Sequence, residues 1–176
     1  EDKYSVYEFD DKIFQGKFHK KAWHIGIFMT PFDRHFVTCP TDSEIVSVEH
    51  FKTDLNLPML DLLEHFRVMF MRNFDKWLER HLGTWLTKNE RCIINLFCKK
   101  TKEKYKLILI GDKYVNKIDL FVEKGDVVNA GQNLAFIGRG SQCDIVMPKT
   151  MVDYTPGFYT GKQVYSANTK IMELRK

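Results

Sequence analysis

At 176 residues, with 44% hydrophobic and 28% charged side chains, the chain is long enough for one domain with a packed core and too apolar for a disordered segment. No apolar run approaches the roughly 20 residues that span a bilayer, and the opening Glu1-Asp2-Lys3-Tyr4 is unlike a signal peptide, so a protein that is cytoplasmic, or peripheral on the cytoplasmic face of a membrane, is expected. The net charge of +4 is modest and spread along the chain, which fits a solvated surface and selects no nucleic-acid partner.

Residues 12–48 run in short apolar stretches, among them residues 25–29 and 44–48, broken by Pro31, Pro40 and polar clusters, and read as strands with tight connections. Cys39, Cys92, Cys98 and Cys143 lack the close spacing of a zinc site or a disulfide scaffold, so free thiols and no metal are expected. Pro58 then opens a segment in which Leu62, Leu63, Phe66, Met69, Phe70, Phe74, Trp77 and Leu78 recur at three- and four-residue steps, predicting a helix or helix pair over residues 59–82 that stops at Gly83. Its wide apolar stripe packs on a sheet in one reading. In the other, bordered by Arg67, Arg72, Lys76 and Arg80, it makes a peripheral membrane contact.

Strands return over Arg91–Cys98, residues 105–110 and residues 117–122, with the charged residues 99–104 as an exposed hairpin connection. A weak internal echo follows. Residues 123–132 and 159–168 each offer a glycine turn, a short apolar step and a second turn, as in small barrels and sandwiches and in biotinyl and lipoyl carrier domains. The modified lysine of a carrier hairpin has no convincing counterpart, Lys149 being a poor substitute.

Two stretches carry chemistry. Residues 124–148, KGDVVNAGQNLAFIGRGSQCDIVMP, place Gly140-Ser141 after one apolar strand and before another. A glycine-serine pair alone is a common turn. Residues 25–48, IGIFMTPFDRHFVTCPTDSEIVSV, set Asp33 and His35 between Pro31 and Pro40, and a lone histidine at a strand end is often structural. Together with Asn89-Glu90-Arg91 at the entry to a strand and residues 11–17 near the start, these frames resemble the phosphatidylserine decarboxylase family across nearly the whole chain.

That resemblance implies a single catalytic domain over 1–176, of mainly β (α+β) class. Its β domain is barrel- or sandwich-like and related to the biotinyl/lipoyl hybrid barrels, with a helical insertion at 58–83. It implies self-cleavage at Gly140-Ser141: the Ser141 hydroxyl attacks the Gly140 carbonyl, the amide becomes an ester, and elimination and hydrolysis leave a covalent pyruvoyl cofactor derived from Ser141. Imidazole titrates near neutrality, which suits His35 to proton transfer, with Asp33 and Thr38 as supporting positions. The implied reaction converts a serine-headgroup phospholipid to its ethanolamine counterpart, with Arg34 or Arg139 available to the phosphate. A soluble amino-acid substrate and a non-cleaving binding relative are the alternatives, and a homodimer is admitted. Two departures stand out. Long-form members carry a second histidine where this chain has Thr38, and no Asp-Gly pair precedes Pro31.

Overall fold

The computed structural model describes residues 22–29, 33–53, 88–112, 117–138, 141–154, 164–165 and 169–175; the helix expected over 59–82, and the insertion 58–83 with it, lies outside them. The described architecture is mainly β. Its strands are β1 (Ala22–Met29), β2 (Phe36–Thr38), β3 (Ser43–Phe51), β4 (Arg91–Cys98), β5 (Lys104–Gly111), β6 (Ile118–Leu120), β7 (Val127–Val128), β8 (Asn133–Ile137), β9 (Ser141–Pro148), β10 (Val152–Tyr154) and β11 (Met172–Leu174). A six-stranded sheet has the order β1-β9-β5-β4-β3-β7, a three-stranded sheet the order β2-β8-β6, and β10 pairs with β11; every pairing is antiparallel.

The strands expected near residues 25–29, 44–48, 91–98 and 105–110 are β1, β3, β4 and β5. Their β-branched and aromatic side chains suit a pleated, buried surface. The lysine-rich connection between β4 and β5 is a tight turn in which Lys102 takes a φ of 58° and its amide closes back on the Cys98 carbonyl at 3.0 Å. Gly125 (φ 94°) and Gly131 (φ 81°) occupy the left-handed region on either side of β7, where glycine meets no Cβ penalty. Their amides donate to the carbonyls of Ile45 and Cys39, each at 2.8 Å, and so dock the glycine-turn segment onto β3 and the β2–β3 connection.

Register sorts the large sheet into two faces, because side chains alternate along a strand. One face carries Trp23, Ile94, Leu96, Tyr105, Leu107, Leu109, Cys143 and Met147, which join Val37, Ile118, Leu134, Ala135 and Ile137 of the three-stranded sheet in one buried cluster. The core therefore lies between the two sheets. The opposite face carries His24, Gly26, Gln142, Asp144, Lys106, Ile93 and Ile108, and it too is largely buried: Ile93, Ile108, Gln142 and Asp144 are at most 4% exposed.

Candidate active site

Ser141 is the first residue of β9, a strand hydrogen-bonded on both sides: Ser141 lies opposite Met29 at the end of β1 and opposite Gly111 at the end of β5. Its side chain is on the core face and 3% exposed. The Ser141 hydroxyl donates to the Met29 Sδ at 3.9 Å. A thioether is a weak acceptor, so the contact orients the hydroxyl while leaving its oxygen lone pairs uncommitted. Gly140 and Arg139, on the other side of the bond expected to break, lie outside the described residues.

His35 precedes β2, and its backbone carbonyl accepts the Ile137 amide at 3.1 Å. Met29 is thus tied to Ser141, and His35 to the strand end that leads toward Ser141. The β1–β2 and β8–β9 connections run between these two ties, which brings His35 and Ser141 to the same end of the molecule. Both His35 ring nitrogens are buried without a hydrogen-bond partner among the described residues, and the ring sits edge-on to Phe136 with centroids 6.4 Å apart. A buried polar group without a partner is costly, of order 1–3 kcal/mol, and such groups concentrate where a function uses them.

The other expected residues are placed less centrally. Asp33 is exposed in the connection before β2. Thr38 lies opposite Asn133, at the end of β8 away from Ser141, and does not join His35 and Ser141. The Arg34 guanidinium is exposed and donates to Asn133 Oδ1 at 3.3 Å. Phe36, the residue after His35, and Phe121 are 41% and 51% exposed, and Phe36 packs 5.0 Å from Phe136 and 6.2 Å from Phe121 between ring centroids.

Two arrangements around Ser141 went unforeseen. On the face of β9 opposite Ser141, the 1%-exposed Asp144 takes hydrogen bonds from Gln142 Nε2 on Oδ1 and pairs with His24 Nε2 at 2.8 Å on Oδ2. Gly26 lies opposite Asp144 in the register; a Cβ there would stand 2.9 Å from Gln142 Nε2 and 3.1 Å from Asp144 Oδ1, so glycine is what lets the polar pair close against β1. The second arrangement is at Gly111: its amide donates to the Glu90 carbonyl at 2.8 Å, and its carbonyl accepts Asn89 Nδ2 at 2.8 Å. Asn89 is 1% exposed, and the Glu90 carboxyl is paired with His50 Nε2 at 2.7 Å.

The four cysteines are free thiols, all buried. Burial, with Glu49 and Glu90 adding to it, pushes the Cys92 thiol up to about 12, and burial together with Asp144 raises Cys143 as well. Buried, protonated thiols such as Cys92 and Cys143 are poor nucleophiles, whereas at Cys98 burial is outweighed by hydrogen bonds from Thr101, Lys100 and Thr41, which hold the thiol below its ordinary value although the side chain is fully buried. No helix among the described residues is long and apolar enough to cross a membrane.

The family model described as phosphatidylserine decarboxylase matches residues 1–171. A protein of Methanopyrus kandleri named as a putative archaetidylserine decarboxylase proenzyme is 26% identical over 129 residues, covering 73% of this chain and 49% of the relative. One of the same name from Methanocaldococcus jannaschii is 23% identical over 154 residues, 88% of this chain and 62% of the relative. The chain therefore spans about half of the first relative and less than two thirds of the second. No solved structure matches. With the family match running through both chemistry-bearing stretches and nearly end to end, the chain belongs to the phosphatidylserine decarboxylase family.

Proposed function

We propose that the protein is a pyruvoyl-dependent decarboxylase of a serine-headgroup phospholipid, one catalytic domain built on a fold akin to the biotinyl/lipoyl hybrid barrels, whose cofactor arises by self-cleavage at Gly140-Ser141. The observation that supports the reading is a nucleophile and a base at one end of the fold, neither committed to a strong partner among the described residues: the Ser141 hydroxyl on a thioether, and the His35 imidazole with both nitrogens unpartnered there. In the cleavage the Ser141 oxygen bonds to the Gly140 carbonyl carbon, the C–N bond breaks, and the nitrogen takes a proton. Loss of the Ser141 Cα proton then expels Gly140 as a carboxylate, and water replaces the nitrogen, which departs as ammonia. His35 is the group that takes and returns protons in this sequence, a role Thr38 cannot fill.

The pyruvoyl group would supply a carbonyl that engages a substrate amine and draws off the electrons left by carbon dioxide. A phospholipid fits better than a free amino acid because Phe36, next to His35 in the chain, and Phe121, packed on Phe36, expose apolar rings suited to a lipid rather than to a small polar substrate. The relatives are named for archaetidylserine and the family for phosphatidylserine, and a serine headgroup is common to both names. The test is the intact mass of the full-length gene product under denaturing conditions. Two fragments meeting between Gly140 and Ser141, the downstream one blocked and shifted by hydrazine, are expected; a persistently uncut chain overturns the reading and leaves a non-cleaving binding relative.

A further inference from the structure

We propose that Asn89 is a positioning residue for self-cleavage, acting through Gly111 to fix the orientation of the Ser141 amide; this rests on Ser141 being the cleavage serine. The Gly111 N–H and C=O both engage residues 89–90, so both point toward β4. In an antiparallel sheet a residue whose polar groups face one neighbouring strand forms a non-hydrogen-bonded pair with the strand on its other side. Gly111 is therefore the non-hydrogen-bonded partner of Ser141, and Ser141 turns its own N–H and C=O toward Met29.

The Ser141 N–H belongs to the bond that must break. Directed at the Met29 carbonyl, it faces an acceptor that favours the positive charge arising on nitrogen as the ester forms. The Ser141 carbonyl, facing the Met29 N–H, is polarised for the later loss of the Cα proton. This alignment is needed at the one place where strands fray: Ser141 begins β9 and Gly111 ends β5. The Asn89 side chain holds that end closed. It is anchored for the task, being buried itself, followed by Glu90 paired to His50 and by Arg91 seated 4.5 Å over the Phe51 ring.

The test compares Asn89→Ala with Asn95→Ala in the full-length protein, following self-cleavage with time after cell-free synthesis. Asn95 is a fair control because its side-chain amide likewise donates, from within β4 to Ser47 Oγ at 2.8 Å, but far along the sheet from Ser141. Asn89→Ala is expected to slow cleavage about tenfold, the rate equivalent of one net hydrogen bond, and to lower the hydroxylamine-sensitive ester at Gly140, while Asn95→Ala stays within about twofold of the parent. Asn89→Ser, which keeps a donor, restores part of the rate and serves in place of alanine should that variant not fold. Equal slowing by both alanine variants, or parental cleavage by Asn89→Ala and Asn89→Ser, overturns the proposal while leaving the proposed function standing. A parent chain that never cleaves removes both.

Discussion

Replacing Asp144 by alanine removes, at a position 1% exposed, the acceptor shared by Gln142 Nε2 and His24 Nε2. Each buried group that loses its partner costs about 1–3 kcal/mol, so the two together set a range of about 2–6. Two effects pull the figure down: Asp144 no longer has to be desolvated, and the His24 side chain, 11% exposed, can recover some hydration. A loss of about 2–4 kcal/mol is expected, comparable with deleting a large core side chain. Urea unfolding reads it directly, in a Ser141→Ala background so that one unbroken chain is measured. A double-mutant cycle with His24→Ala should return a coupling of about 1–2 kcal/mol. Asp144→Asn should recover at least half of the loss, because its carbonyl still receives Gln142 and its amide can donate to a neutral His24 Nε2. A loss below about 1 kcal/mol for Asp144→Ala, or additivity with His24→Ala, would refute the idea that this trio locks β1 against β9.

Alkaline stability should follow the buried thiols and phenol. Cys92 moves from an ordinary 9.0 to about 12 in the fold, so its contribution is whole below pH 9 and is lost as pH rises toward 12, because the unfolded chain ionises first; Cys143 and Tyr105 shift the same way. The urea midpoint is expected to fall above pH 9, and Cys92→Ala to make that fall shallower; an unchanged slope would count against the burial argument. Tyr105→Phe should cost about 1 kcal/mol, less than Asp144→Ala, since the fully buried Ser43 loses a 2.8 Å bond to the phenol but keeps its 2.7 Å bond to the Thr41 carbonyl. Equal losses from Tyr105→Phe and Asp144→Ala in the same urea series would invalidate that ranking.

Strands were legible where composition alone marks them. Residues 91–98 and 105–110 are β-rich runs bounded by a lysine-rich turn, and they appear as β4 and β5 with almost those limits. What the sequence could not give was which strand lies beside which. β9 sits between β1 and β5, and the His24–Asp144 pair spans 120 positions in the chain. β9 also hides its faces: Gln142 and Asp144 alternate with Cys143 and Ile145 as a solvent-facing pair would, yet both are buried against β1. The available signal was Gly26, a glycine inside a strand pattern, which often marks a close approach by another group. Likewise Asn89 was visible as part of a family-like segment, but its bond to the carbonyl of Gly111 depends on β4 and β5 being neighbours. Ser141 and His35 were singled out in the sequence because the family frame named them. Thr38 entered by the same route, and the register of β2 on β8 sets it apart.

The sheet order also bears on how a cut chain would survive. A break before Ser141 would put β1 to β8 on one fragment and β9 to β11 on the other. β9 is an interior strand, paired along Ala22–Met29 on one edge and along residues 106–111 on the other, so the fragments share two ladders and the buried side chains Cys143 and Met147. Separating them would expose those ladders and open the core between the sheets, a loss far larger than that of any single contact. The new terminus at residue 141 would remain where the uncut serine was, between Met29 and Gly111 and at the same end as His35. A strand at the edge of the sheet would offer one ladder in place of two. An interior strand beginning at Ser141 would thus let the proposed cleavage convert backbone into cofactor without giving up the site.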